Sequence, residues 1–277
     1  MSATPPCTPI HNINEDVLLY IFAVNADMFA DTKALHTTRI TSQVCREWRD
    51  MMLNAPSLWA RLIDMDAFHQ SSTPRWWNEL MKRSGTALLW IRAHSGLFML
   101  WHTHPTDRSQ RLERFFYRVV SRNWHRIQRL VIHGNNSNFG LARAMVSSPA
   151  PQLEDFEAPL QKETEAVRAA DRHFRERSTA CIFASRAPLL RRFRSVGYIA
   201  DRRAPWLRYL HVIELDRTYN VYDALRVLSA TRRLQEIRIA DVIDGNLSKT
   251  LRSVSLPCLK YLKLLHYYPH LSSQQLH

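Results

Sequence analysis

One spacing constrains this chain more than any other: apolar-x-x-apolar-x-apolar, met seven times between residues 88 and 264. It reads Leu88, Ile91, Ala93 in LLWIRA, then Ile127, Leu130, Ile132 in IQRLVI, then Leu153, Phe156, Ala158 in QLEDFEA. A weaker copy, Leu190, Phe193 and Ser195, falls in LLRRFRS. The clearest are Leu207, Leu210, Val212 in LRYLHV; Leu234, Ile237, Ile239 in LQEIRI; and Leu259, Leu262, Leu264 in LKYLKL. The last three start 27 and 25 residues apart, whereas the earlier intervals are 39, 26, 37 and 17. Within each copy apolar and polar residues alternate, which is the period of a strand. Between copies, VYDALRVLSATRR sets Val221, Leu225 and Leu228 on one helical face. A single strand–helix unit cannot bury both faces, so neighbouring units must stack. The expected class is an α/β repeat with a parallel sheet, spanning 75–277. The copies Leu210 and Leu262 should be buried in it, and Arg238 should point outward. The charged stretch 159–178 reads as a helical insert.

The first 63 residues follow another rule. Residues 1–12 hold three prolines and no periodicity, and read as a disordered tail. From Asn14, a candidate N-cap, Val17, Leu18, Ile21 and Phe22 recur at helical spacing. In TTRITSQVCREWRDMML, the residues Ile40, Val44, Cys45, Trp48 and Met52 fit one further helical stripe. Asn54 and Pro56 end it, and Leu58, Trp59 and Leu62 begin a third short helix.

Composition narrows the function. Four cysteines, Cys7, Cys45, Cys181 and Cys258, form no CxxC pair, which fits reduced thiols in a cytoplasmic or nuclear protein. The N-terminus has no basic segment leading into an apolar one, so it does not read as a secretory signal. No apolar run approaches the ~18 residues of a membrane span. Six glycines are few for a nucleotide-binding loop, and no P-loop, GxGxxG, GxSxG or HExxH is present. Cys45 lies beside Val44 and Trp48 with no base partner, which suits a core thiol better than a nucleophile. His102 and His104 alone do not complete a metal site. The aromatic–basic run 111–126 could stack bases, but Leu112, Phe115, Phe116, Val119 and Val120 fit a helix docked on a core. No catalytic residue, metal or cofactor is expected, and the chain does not read as an enzyme. The net charge of +13 leaves a nucleic-acid binder as one alternative.

The N-terminal segment resembles the F-box. That family reads roughly Leu-Pro-x-Glu-Ile/Leu-Leu-x-x-Ile-Phe, then Val-Cys-x-x-Trp, then Leu-Trp. This chain has Ile13-Asn14-Glu15-Asp16-Val17-Leu18-Leu19-Tyr20-Ile21-Phe22, then Val44-Cys45-Arg46-Glu47-Trp48, then Leu58-Trp59. Asn14 stands where the family has proline, and Asp16 where it has glutamate. The match covers 13–63 and implies a small three-helix F-box. WWNELMKRSGTALLWIRA, SRNWHRIQRLVIHG and RAPLLRRFRSVGY resemble segments of fungal F-box proteins with degenerate leucine-rich repeats. The resemblance thus implies a leucine-rich-repeat-like solenoid behind the F-box.

It also implies a role: the substrate-recognition adaptor of an SCF-type cullin–RING ubiquitin ligase, serving ubiquitin-dependent protein degradation. Ile13, Val17, Leu18, Ile21, Phe22, Val44, Cys45, Trp48, Leu58 and Trp59 would form the F-box core and its face for a Skp-family linker, and through that linker reach the cullin. The repeats would hold a substrate protein. Arg208, Tyr209 and His211, Gln235 and Arg238, and Lys260, Tyr261 and Lys263 lie between the buried positions and form the possible substrate face. They are mostly basic, which suits an acidic or phosphorylated substrate, or simply a solvated sheet face. A repeat scaffold with no ligase role is the other alternative.

Overall fold

The computed structural model describes residues 13–71, 73–94, 106–133, 146–158, 182–195, 198–216, 218–240, 242 and 253–265. The expected tail 1–12, the insert 159–178, Cys7, Cys181, His102 and His104 lie outside the described residues. The chain divides into two compact units, Met1–Arg92 and Ala93–His277. The architecture is α/β, and every described strand pairing is parallel.

In the first unit, α1 (Glu15–Asn25) starts at Asn14, whose side chain accepts from the Asp16 amide at 2.7 Å, with Glu15 and Asp16 in the first turn. The expected single helix across 37–53 is two: α2 (Ala34–Thr41) and α3 (Arg46–Leu53). The chain turns through Ser42–Val44, and Cys45 caps α3 by accepting the Trp48 amide on its sulfur at 3.4 Å. Ile40 and Val44 are therefore exposed, and Cys45 is half-buried at a helix end. Short side-chain hydrogen bonds explain the break. Ser42 Oγ donates back to the Arg39 carbonyl and Thr41 Oγ1 to that of Thr37, drawing the chain out of the helix.

Next come α4 (Pro56–Ala60), β1 (Ile63–Asp64), α5 (Met65–Ser71), α6 (Pro74–Arg83) and β2 (Leu89–His94). Proline opens both α4 and α6, where its missing N–H costs nothing. Gly85, at φ +48°, follows α6 in the left-handed conformation that ends helices. The core gathers Phe22, Met52, Leu58, Trp59, Phe68, Trp77 and Leu80. Trp59 anchors it: its indole N–H donates to the Met52 carbonyl at 2.7 Å, and Trp76 meets it edge-on at 6.4 Å. β1 pairs with β2, and the ion pair between Asp64 and Arg92 ties the two strands.

The second unit holds α7 (Asp107–Asn123), β3 (Ile127–His133), β4 (Asp155–Glu157), β5 (Arg192–Arg194), β6 (Val212–Leu215), α8 (Val221–Leu228), β7 (Glu236–Ala240) and β8 (Tyr261–Leu265). A capping box of Thr106 and Ser109 starts α7, whose Leu112, Phe115, Phe116, Val119 and Val120 are all buried. Strands β3 to β8 lie side by side in chain order. Registration stacks Leu130, Phe156, Phe193, Ile213 and Ile237 in one buried row. Aromatic rings thicken its middle. Phe156 stacks on Phe193 at 5.8 Å, Trp206 sits 4.9 Å from Phe193, and Phe183 meets Phe156 edge-on at 5.2 Å.

The structure departs from the expected burial in four places. In LRYLHV the expected positions are three residues early. Leu210, Ile213 and Leu215 occupy the repeat's buried sites, while Val212 is half-buried on the other side. In LLWIRA it is Leu89, not Leu88, that is buried with Ile91 and Ala93. On α8 the buried residues are Ala224, Val227 and Leu228, one step round from the expected face. Leu262 keeps its register opposite Ile237 but is 58% exposed, and Leu264 is 66% exposed. At β8 no further described strand continues the row that buries their counterparts.

Candidate functional site

The first candidate surface is on α1. Leu18 and Phe22 face inward, and Phe22 meets Trp48 edge-on at 5.1 Å. The opposite side is also apolar. Val17, Tyr20, Ile21 and Val24 follow one another at i, i+3, i+4 and i+7, and all are exposed. Ile13 and Val44 are exposed too. A helix that is apolar all round normally lies buried. Beside this face is a groove of about 550 Å³ whose lining mixes apolar Ile13, Leu18, Leu19, Trp48 and Met51 with acidic Glu15, Glu47 and Asp50.

The expected F-box residues thus sort into two groups. Leu18, Phe22, Leu58 and Trp59 are core. Ile13, Val17, Ile21 and Val44 are exposed, and Trp48 and Cys45 are half-buried between them. Because Cys45 caps α3, replacing it with serine supplies a better N-cap oxygen. Cys45→Ser should keep the melting temperature unchanged or raise it slightly. A loss of several degrees in a thermal melt would show that the sulfur matters through packing instead.

The second candidate surface is the outward face of β3–β8. Two registered rows cross it. One runs Arg129, Asp155, Arg192, Val212, Glu236, Tyr261, and the other Val131, Glu157, Arg194, Glu214, Arg238, Lys263. Charges of opposite sign stand side by side along Arg129, Asp155 and Arg192 in the first row and from Glu157 to Arg238 in the second. Asp155 Oδ2 takes Arg129 at 3.2 Å and Arg192 at 2.9 Å. Arg194 is paired to Glu157 on one side and to Glu214 at 2.8 Å on the other, and His133 Nδ1 reaches Glu157 at 3.2 Å. Glu236 holds both Arg238 and Lys263 at 2.8 Å.

These partners pull the carboxyls in different directions. Burial pushes Asp155 up in spite of Arg192 and Arg129, and Glu214 up in spite of Arg194. Burial also acts to raise Glu157, but the hydrogen bond from His133 and the charge of Arg194 together hold it below the ordinary value. Glu236 is lowered by its bonds to Lys263 and Arg238. Asp155 and Glu214, raised on folding, favour the native state as pH falls toward their unfolded values. Glu157 and Glu236, lowered, lose their contribution as pH falls through their folded values. The two pairs therefore oppose one another in acid.

The expected basic substrate face takes a different form. Arg208 and Tyr209 are not on a strand but in the 3-10 turn Pro205–Tyr209, where Arg191 and Arg233 lie 6.0 Å and 5.9 Å from the Tyr209 ring. His211 precedes β6, and burial with Arg191 and Arg233 lowers its pKa, so it is mainly neutral near pH 7. Gln235 and Lys260 precede β7 and β8. The structure brings only Arg238, Tyr261 and Lys263 into the rows. The two rows hold five cations against four carboxylates, so this face is nearly neutral. Sequence reasoning missed Asp155, Glu157, Arg192, Arg194 and Glu214. Writing the repeats beneath one another in true register exposes them as alternating signs.

Exposed positive charge also lies elsewhere in this unit: Arg108, Arg111, Arg114, Arg118 and Arg122 are all exposed on α7. Among the described residues, no group of three or more His, Cys, Asp or Glu is placed to hold a metal, and no helix is long and apolar enough to cross a membrane.

No family model, curated protein or solved structure matches this chain.

Proposed function

We propose that this chain is the substrate-recognition adaptor of an SCF-type cullin–RING ubiquitin ligase. On this reading residues 13–63 are an F-box and the second unit is a degenerate leucine-rich-repeat solenoid. The observation that carries the proposal is the exposed face of α1: Val17, Tyr20, Ile21 and Val24. Leaving four neighbouring apolar side chains of one helix in water is unfavourable, and burial against a partner would recover about 25 cal/mol per Å² covered. The residues of this face fall within the segment whose Val-Cys-x-x-Trp and Leu-Trp motifs resemble the F-box. A Skp-family linker, with a cullin behind it, is the partner that the resemblance supplies.

The adaptor makes and breaks no bonds in this scheme. It works by tethering: a substrate held on the second unit meets the charged conjugating enzyme at a high effective concentration. The test is co-expression with a Skp-type linker and a cullin N-terminal region. The parent chain should co-purify with both. The double variant Val17→Glu, Ile21→Glu should fold, because both sites are exposed, yet lose both partners. Retention of the linker by that variant would remove α1 as the docking face.

A further inference from the structure

We propose that the edge of β8 that no described strand pairs accepts an added strand from a partner protein, and that this strand alternates apolar residues with acidic ones. The inference goes beyond linker binding and does not depend on it. β8 pairs with β7 on one side and is the last strand of the described sheet. Its backbone groups on the other side form an edge that can template a further strand.

Two rows show what such a strand must carry. On the inner face, Leu262 extends the row of Phe156, Phe193, Ile213 and Ile237, and Leu264 that of Leu215 and Ile239. The counterparts of Leu262 are at most 3% exposed, whereas Leu262 is more than half exposed. The next strand must therefore place apolar side chains beside Leu262 and Leu264. On the outer face, charges alternate from Glu157 to Arg194 to Glu214 to Arg238, but Lys263 breaks the pattern by standing next to Arg238. Glu236 is shared between the two. Arg238 also has Glu214 beside it, whereas Lys263 is the outermost charge of its row, and its side chain is half-exposed there. An acid on the incoming strand completes the alternation.

Like charge disfavours a second copy as the occupant. A second copy would bring Lys260 and Lys263 against another Lys260 and Lys263, with no carboxylate in the strand to offset them.

The experiment uses the full chain and two fluorescein-labelled peptides, one alternating valine with glutamate and one alternating valine with lysine. Anisotropy should show the glutamate peptide binding about fivefold to tenfold tighter, the range expected when cross-strand attraction replaces repulsion. Lys263→Gln should erase most of that preference, and Leu264→Glu should weaken the glutamate peptide further. Both sites are exposed, and unchanged circular dichroism checks the fold. Hydrogen exchange should show β8 amides gaining protection only when the peptide is present. Equal affinity for the two peptides, or an unaltered preference in Lys263→Gln, would overturn the proposal. So would a peptide-free dimer that Leu264→Glu dissociates, which assigns the edge to a second copy. Full protection of β8 in the peptide-free monomer would assign it to the chain's own residues and equally overturn it.

Discussion

Replacing Arg194 with methionine is expected to destabilise the second unit by about 3–5 kcal/mol at neutral pH, the usual cost of removing one partner of a buried ionic network. Methionine keeps much of the aliphatic stem and its packing, so the change tests the charge. Arg194 is the only cation standing between Glu157 and Glu214 in their row, and both carboxyls are largely buried. Without it, the two buried carboxylates lose the cation they share and keep only His133 beside Glu157 and Arg238 beside Glu214 in their row. Both would then be raised above their unfolded values, a penalty that is present above the folded pKa and fades as pH falls. The parent instead loses the Glu157 contribution as pH falls. The gap between variant and parent should therefore narrow from pH 7 toward pH 5 in urea unfolding. A gap that stays constant over that range would mean that Arg194 acts through packing alone.

Trp59→Ala should have a comparable effect on the first unit, about 3–5 kcal/mol. Three losses combine. The side chain is fully buried, so a cavity remains; the Met52 carbonyl loses its 2.7 Å donor; and Arg83, 4.7 Å from the indole, loses one of its two ring partners. Trp59→Phe keeps most of the volume but not the N–H donor, and should cost clearly less. If the alanine variant unfolds at the parent's denaturant midpoint, the assignment of Trp59 as the anchor of this core is wrong. Any loss of partner binding in Trp59→Ala would be indirect, in contrast to a loss caused by Val17→Glu and Ile21→Glu.

The parallel strands were legible because their signal is local. Alternation plus a recurring interval identifies a stacked strand whatever lies around it. Six of the seven copies lie on the strands of the sheet with their register right or one residue off. LRYLHV misled because Leu207 and Leu210 are both fully buried, Leu207 in a 3-10 turn, so either could serve as the first site of the repeat. That slip put Tyr209 and His211 where Val212 and Glu214 belong, and it made the sheet face look basic. The balance of that face depends on which residues become neighbours across strands, and it follows only from correct register. The break at Ser42–Val44 was hidden for another reason: Ile40, Val44 and Trp48 do fit a helical period, and nothing in that spacing reveals side-chain bonds to the backbone. The exposure of Leu262 and Leu264 is a property of position in the sheet, since the same residues one strand earlier would be buried. The unpartnered face of α1 was half visible. Val17 and Ile21 stood out as apolar, but which of the four apolar residues point inward depends on where Phe22 meets Trp48.

Titration of the full chain with a purified Skp-type linker, followed by calorimetry and sedimentation, tests the adaptor proposal most directly. The account predicts a one-to-one complex with a negative heat-capacity change from apolar burial, absent in Val17→Glu, Ile21→Glu. No heat and no co-sedimentation, with both proteins folded by circular dichroism, would contradict it and leave an interaction scaffold without a ligase role.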